Sequence, residues 1–218
     1  MLITILAVTK AWNDFCIAGI NENGQWIRPI VSEGSVRFWP RDKLMVENGF
    51  VKCGDVWEIQ GHSPSAFMHP NHTEDFVAKK FKYHHSLTNN ELIEFLREKV
   101  EDEQAFLDTV NARRRSLCLV NPKTFIPDLS YWDGQPKPKM RFKGNFDFDN
   151  PHTNNRDYIV KDCKWCGLMT EGFNMPEPSE IYLCIGLATP TKYDGIEYPQ
   201  VIGLHTHPLA PFSPNYPD

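Results

Sequence analysis

Aromatic and basic side chains alternate in two short segments of the N-terminal half. In an extended strand, alternate side chains point to the same face, so Trp26 shares a face with Arg28, and Trp39 shares one with Arg37 and Arg41. Flat rings that stack on bases, beside cations that bind phosphates, are what single-stranded nucleic acid requires. We expect these five residues to lie on an exposed face that contacts nucleic acid. The alternative is an ordinary amphipathic strand with half-buried tryptophans and solvated cations.

A longer alternation of bases occurs in the C-terminal half. Lys137, Lys139, Arg141 and Lys143 stand at every second position, so they occupy one face if the segment is a strand. We expect this cationic face to bind phosphates. Solvated bases on an amphipathic strand explain the same pattern.

Arg113, Arg114 and Arg115 form a third basic cluster, directly after an acidic segment. Cations near the C-terminal end of a helix stabilise its dipole, which is a structural explanation for the triplet. Contact with phosphates is the functional one, and we keep all three residues as candidate nucleic-acid ligands.

Four residues could contribute to a metal site. Cys163 and Cys166 have the spacing of half a structural zinc site, but such a site needs four ligands, and the chain has no second cysteine pair of this spacing. His205 and His207 complete the set only if the fold brings them close. We therefore predict no metal or other cofactor and retain these four as candidate ligands.

The segment around His205 and His207 also resembles the His-x-His-Pro element of the JAMM metalloproteases, which implies a zinc-dependent hydrolase. Ser213 and Asp218 depart from the spacing of that motif. The sequence contains no Gly-rich phosphate loop, nucleophile elbow or paired-carboxylate motif. Catalysis stays an alternative, and a non-catalytic protein is favoured.

The charge is unevenly distributed along the chain. The formal net charge of −5 argues against indiscriminate coating of nucleic acid, because Lys and Arg supply most of non-specific affinity. Residues 91–108 hold seven acids and two bases, whereas residues 113–143 hold eight bases and two acids. Polarity of this kind guides a polyanion to one face.

The elements that must position these residues are mostly strands. Runs of strand-forming residues predict short strands at 3–8, 15–20, 25–31, 36–40, 55–60, 116–120, 140–144, 156–160, 180–188 and 199–205. The dipeptides Asn23-Gly24, Asp133-Gly134 and Asp194-Gly195 predict turns. The segments 121–138 and 167–179 are rich in Pro, Gly and polar residues and are predicted to be long connections.

One helical segment separates the two groups of strands. Thr88 and Glu91 form a capping box, and apolar residues recur at helical spacing to about residue 111, with a break near Glu101. The predicted organisation is a first β-barrel at 1–86, a helical linker or insertion at 87–112, and a second β-barrel at 113–218 with a Pro-rich tail. The fold class is therefore mainly β with a helical insertion (α+β), as two small OB-like β-barrels.

Four segments of the sequence resemble a known family. They are residues 6–10 (LAVTK), 16–30 (CIAGINENGQWIRPI), 113–122 (RRRSLCLVNP) and 156–165 (RDYIVKDCKW). Together they resemble the bacterial family of dual OB-containing domains, over nearly the whole chain. The resemblance implies two tandem OB-type barrels that bind nucleic acid, often in defence against foreign genetic elements. It also implies that residues 156–165 end a strand.

We predict a non-catalytic binding module for single-stranded or structured DNA or RNA. A module that senses a protein or small ligand is the first alternative, and the zinc-dependent hydrolase is the second. The N-terminal apolar run is too short for a signal sequence or a membrane span, so we expect a cytoplasmic protein without membrane contact.

Overall fold

Strands dominate the chain, as the short apolar runs predict. The computed structural model describes residues 1–34, 37–47, 49–174, 176–190 and 193–218. The chain divides into two compact units, Met1–Lys99 and Val100–Asp218. The predicted class, mainly β with helices, is confirmed.

The first unit is built on a closed barrel. Its strands are β1 (Leu2–Ala11), β2 (Asp14–Asn21), β3 (Trp26–Ile30), β4 (Met45–Val46), β5 (Gly49–Phe50), β6 (Asp55–His62) and β7 (Asp75–Ser86). The barrel order is β1-β2-β3-β7-β6, and β6 returns to pair with β1. Closure leaves no unpaired edge, and the interior is filled by Ile3, Ile5, Ile17 and Ile59.

The predicted turn at Asn23-Gly24 joins β2 to β3, and Gly24 has a φ of 78°. The strand predicted at 36–40 is wrong for residues 37–40, which form no strand. Only a bridge between Trp39 and Phe15 forms there. Val36 lies outside the described residues. Pro40 has no N–H to continue a ladder, and a 3₁₀ turn, Arg41–Leu44, follows it.

The predicted helical segment contains two helices, α1 (Asn89–Lys99) in the first unit and α2 (Glu103–Val110) in the second. The capping box is confirmed. The Thr88 backbone N–H donates to the Glu91 carboxylate at 2.7 Å, and the Glu91 N–H donates to the Thr88 hydroxyl at 3.3 Å. The predicted break near Glu101 is also confirmed, because Asp102 caps α2 by accepting from the Ala105 N–H.

The second unit is built on a six-stranded sheet. Its further elements are β8 (Leu117–Val120), β9 (Thr124–Trp132), β10 (Gln135–Lys143), β11 (Tyr158–Val160), α3 (Cys163–Thr170), β12 (Glu180–Leu187) and β13 (Pro199–His207). The sheet order is β8-β12-β13-β11-β10-β9. One core joins the sheet to the helices through Phe106, Tyr158, Trp165, Leu168 and Leu183.

The long connection predicted at 121–138 is wrong, because most of it forms β9 and the start of β10. Prolines are tolerated there for a structural reason. In the described chain β9 pairs with β10 alone, and β11 reaches β10 only at Lys139 and Met140. Pro127, Pro136 and Pro138 therefore lie in a strand pair whose outer sides are largely unpaired, and a missing backbone N–H costs little there.

Helix α3 corrects the strand end predicted around residue 163 and residues 167–170 of the connection predicted at 167–179. Asp162 caps this helix, since its carboxylate accepts from the Trp165 N–H at 3.2 Å. The other carboxylate oxygen accepts from the Leu204 N–H in β13 at 2.8 Å. The Trp165 indole N–H donates to the Leu204 carbonyl at 2.7 Å, so both residues hold α3 against the sheet.

Candidate functional site

The β9–β10 hairpin carries two exposed aromatic side chains at its tip. Trp132 is 73% exposed and Tyr131 is 66% exposed. Asp133 and Gly134 form the turn, with φ values of 49° and 71°. Positive φ at both central positions is typical of the two-residue hairpin that Asp-Gly forms. Both rings are therefore presented to solvent by a regular hairpin.

Trp132 and the bases of β10 share one face of the hairpin. Directly opposed residues in an antiparallel pair point to the same side, and Trp132 lies opposite Gln135 while Ser130 lies opposite Lys137. The Lys137 ammonium lies 5.4 Å from the centre of the Trp132 ring, which is a cation–π contact. We call this surface the basic face; its cations are Lys137, Lys139, Arg141 and Lys143.

The cations of the basic face differ in how firmly they are held. The Arg141 guanidinium forms an ion pair with Asp157 at 2.9 Å and donates to the Asn155 carbonyl at 2.8 Å. Lys139 lies opposite Asp128, which offsets part of the local charge. Lys137, Lys139 and Lys143 therefore provide most of the positive charge on this face that is available to bind a phosphate.

Four of the residues proposed from the N-terminal alternation are buried, so the expectation of an exposed face is corrected for them. Trp26 is 6% exposed, and Trp39 is buried with its indole N–H donating to the Pro29 carbonyl at 2.8 Å. Trp39 also stacks on Phe81. Both rings are thus buried and not presented to solvent.

Arg28 and Arg37 are buried beside one carboxylate. The Arg28 Nε donates to the Asp75 Oδ1 at 2.6 Å, and Arg37 donates to the other oxygen of the same carboxylate. Burial lowers the pKa of Arg37, with Arg28 adding to the effect. Both cations thus share one buried carboxylate, and this pairing offsets part of the cost of burying the charges.

The remaining candidates are at the surface, and most have structural partners. Arg41 is exposed and lies 5.9 Å from the Phe50 ring. Arg113 contacts His152 at 2.7 Å, Arg114 lies 3.5 Å from Asp108, and Arg115 binds both carboxylate oxygens of Glu101 at 2.6 and 3.3 Å. The arginine triplet therefore ties its own loop to neighbouring elements.

A second basic strand lies in the first unit and was missed by the sequence reasoning. The C-terminal half of β7 exposes Lys79, Lys80 and Lys82, followed by the partly exposed ring of Tyr83. Residues 79–85 (KKFKYHH) show the same alternation of bases and rings, and this pattern could have predicted the second basic strand. Lys80 and Lys82 lie opposite Gln60 and Glu58 of β6, so this surface is less cationic than the basic face.

The metal candidates do not come together as a site. Cys163 is buried, and burial raises the pKa of Cys166 to about 12, which disfavours the thiolate that a metal requires. His205 is fully buried, with its Nε2 3.8 Å from the Cys184 Sγ. Within the described ranges, no three His, Cys, Asp or Glu side chains are grouped as metal ligands.

A closed five-stranded barrel followed along the chain by a six-stranded sheet defines a protein with two β-rich units in tandem. The model of the dual OB-containing domain family matches residues 1–204, and the chain belongs to this family. No curated protein matches the sequence. Among the described helices, none has the length and apolar character needed to cross a membrane.

Proposed function

We propose that the protein binds single-stranded nucleic acid through the basic face of the β9–β10 hairpin. The observation that carries this proposal is the exposed indole of Trp132 beside the ammonium of Lys137. Large aromatic side chains are mostly buried in folded proteins. An indole that is exposed beside a cation therefore favours a ligand that stacks on it.

The energetics favour a single strand over a duplex. Stacking on an aromatic ring is worth about 1–3 kcal/mol per base, but it requires a base that is not already stacked in a helix. The formal charge of −5 leaves little net attraction for a uniform polyanion away from this face. A local patch with a stacking ring therefore selects unpaired strands.

The salt dependence of binding gives a number for the test. Each single-strand phosphate neutralised by a cation contributes about 0.7 to the slope of log affinity against log salt. Replacing Lys137, Lys139 and Lys143 together by Gln is expected to reduce the slope by about 2. Trp132→Ala is expected to lower the affinity by roughly fivefold or more with little change in slope.

The experiment is fluorescence anisotropy with labelled single-stranded DNA, single-stranded RNA and duplex, each across a salt series. A matched control removes the same charge elsewhere on the surface, at the exposed residues Lys10, Lys43 and Arg97. The control is expected to keep the original slope. Absence of single-strand binding at low salt, or an unchanged slope in the hairpin variant, overturns the proposal.

A further inference from the structure

A cavity of about 390 Å³ lies in the second unit, between the edge strand β9, helix α3 and the segment that follows α3. This volume is in the range of pockets that bind small molecules. Its lining includes Lys123, Phe125, Trp165, Phe173, Asn174 and Glu177.

Aromatic rings form the walls of the cavity. Trp165 is buried and held by its hydrogen bond to the Leu204 carbonyl, so it provides a rigid back wall. Phe125 meets it edge to face, with ring centres 5.8 Å apart and an interplanar angle of 78°. Phe173 lines the outer side and is 37% exposed. Rings on several sides favour a flat ligand that stacks.

Four polar residues also line the cavity: Lys123, Thr124, Asn174 and Glu177. A nucleotide suits the set, because its phosphate pairs with an ammonium and its base offers an edge of donors and acceptors. A carboxylate accepts from adjacent N–H groups, which guanine presents and uracil does not.

The cavity lies on the other side of the hairpin from the basic face, because its lining residues Phe125 and Pro127 pair with the buried residues Phe142 and Met140, but it reaches the same end of the hairpin as Lys143. The Lys123 N–H donates to the Lys143 carbonyl at 2.7 Å, which places this lining residue beside the last cation of β10. A strand that follows the cations towards Lys143 therefore reaches the cavity by passing around the edge strand β9 near Lys123.

We propose that this cavity binds one unstacked nucleobase, with guanine preferred, either as a free mononucleotide or as a single base of a bound strand. The second form rests on the proposed function, whereas the first does not. Phe173 stacks on the base, Glu177 accepts from its N–H edge, and Lys123 binds the phosphate.

The test uses the full chain and two kinds of ligand. Isothermal titration with GMP, AMP and UMP measures the free nucleotides, and anisotropy compares an all-uracil strand with one carrying a single central guanine. Phe173→Ala and Glu177→Gln alter side chains that are exposed in part, so folding is expected to survive. Matched controls are Tyr193→Ala and Glu98→Gln, which change exposed residues outside the cavity lining.

GMP is expected to bind more tightly than UMP. Phe173→Ala is expected to weaken the binding of GMP by about tenfold. Glu177→Gln is expected to reduce the preference for GMP over UMP. Failure of every nucleotide to bind at millimolar concentration, or full affinity in Phe173→Ala, overturns this inference. Strand binding that depends on Trp132 alone, with no binding of GMP, refutes the cavity site and keeps the hairpin site. GMP binding without strand binding keeps the cavity site and refutes the hairpin site.

Discussion

Acidification is expected to destabilise the first unit through one side chain, His72. The imidazole is buried. Burial, together with the guanidinium groups of Arg28 and Arg37 and the His69 ring, lowers its pKa from 6.5 to about 2. The folded barrel therefore holds a neutral imidazole, whereas the unfolded chain takes up a proton there below about pH 6.5.

The sign and size of the effect follow from this difference in proton binding. Because the unfolded state binds more protons, the free energy of unfolding falls as the pH falls from about 6.5 towards 2. Each full pH unit in that window costs about 1.4 kcal/mol. Going from pH 7 to pH 5 is therefore expected to cost about 2 kcal/mol through His72 alone.

Asp55, in the same unit, acts in the opposite direction. Burial raises its pKa, against hydrogen bonds from Ser86 and the Lys52 N–H that lower it. A carboxyl with a raised folded-state pKa favours the folded state at low pH and loses that contribution as the pH rises through its folded value. Wild type is therefore compared with His72→Gln, since Asp55 is common to both and cancels in the difference.

The assay is urea unfolding at pH 7 and pH 5, followed by ¹⁹F NMR of chains labelled with 5-fluorotryptophan. Trp57 reports on the first unit, and Trp165 reports on the second, which lacks His72. Between the two pH values, wild type is expected to lose about 2 kcal/mol more in the first unit than His72→Gln loses. The exposed-site control His84→Gln should keep the wild-type loss. Equal pH dependence in wild type and His72→Gln would refute the reasoning.

Three further predictions concern carboxylates that hold the fold together. Asp75→Asn leaves the two buried arginines of the barrel without their shared anion and is expected to destabilise the first unit by about 3–5 kcal/mol in urea unfolding. Asp162→Ala removes both the cap of α3 and the acceptor for the Leu204 N–H, and is expected to cost the second unit about 2–4 kcal/mol by the same measurement. Asp102→Ala, which removes only a cap, is expected to cost about 1 kcal/mol.

Local signals in the sequence were sufficient where the interacting groups are neighbours in the chain. The capping box joins Thr88 to Glu91, three residues apart, and each supplies the bond that the other's backbone needs. The turn at Asp133-Gly134 depends on the conformational preferences of its own two residues. The alternation of the β10 bases likewise depends only on the two-residue period of a strand.

The Pro-rich strands β9 and β10 were not predictable from composition. Proline is excluded from the middle of a sheet but tolerated on a free edge, and edge position is a property of the whole sheet order. The sequence reasoning consequently missed Trp132 as a partner of Lys137, although the adjacent Asp-Gly pair was recognised as a turn. Helix α3 was missed for a related reason, because Asp162 secures it partly through Leu204.

By itself, the sequence determined the class of fold, the main turns, the helix start at Thr88 and the alternation of the basic face. Only the tertiary structure decided which alternating residues face outward. Trp26 and Arg28 carry the same pattern of rings and bases as the β9–β10 hairpin, yet Arg28 is buried against Asp75, 47 positions away. A strand's alternation defines two faces, and the closure of the sheet decides which of them is the interior.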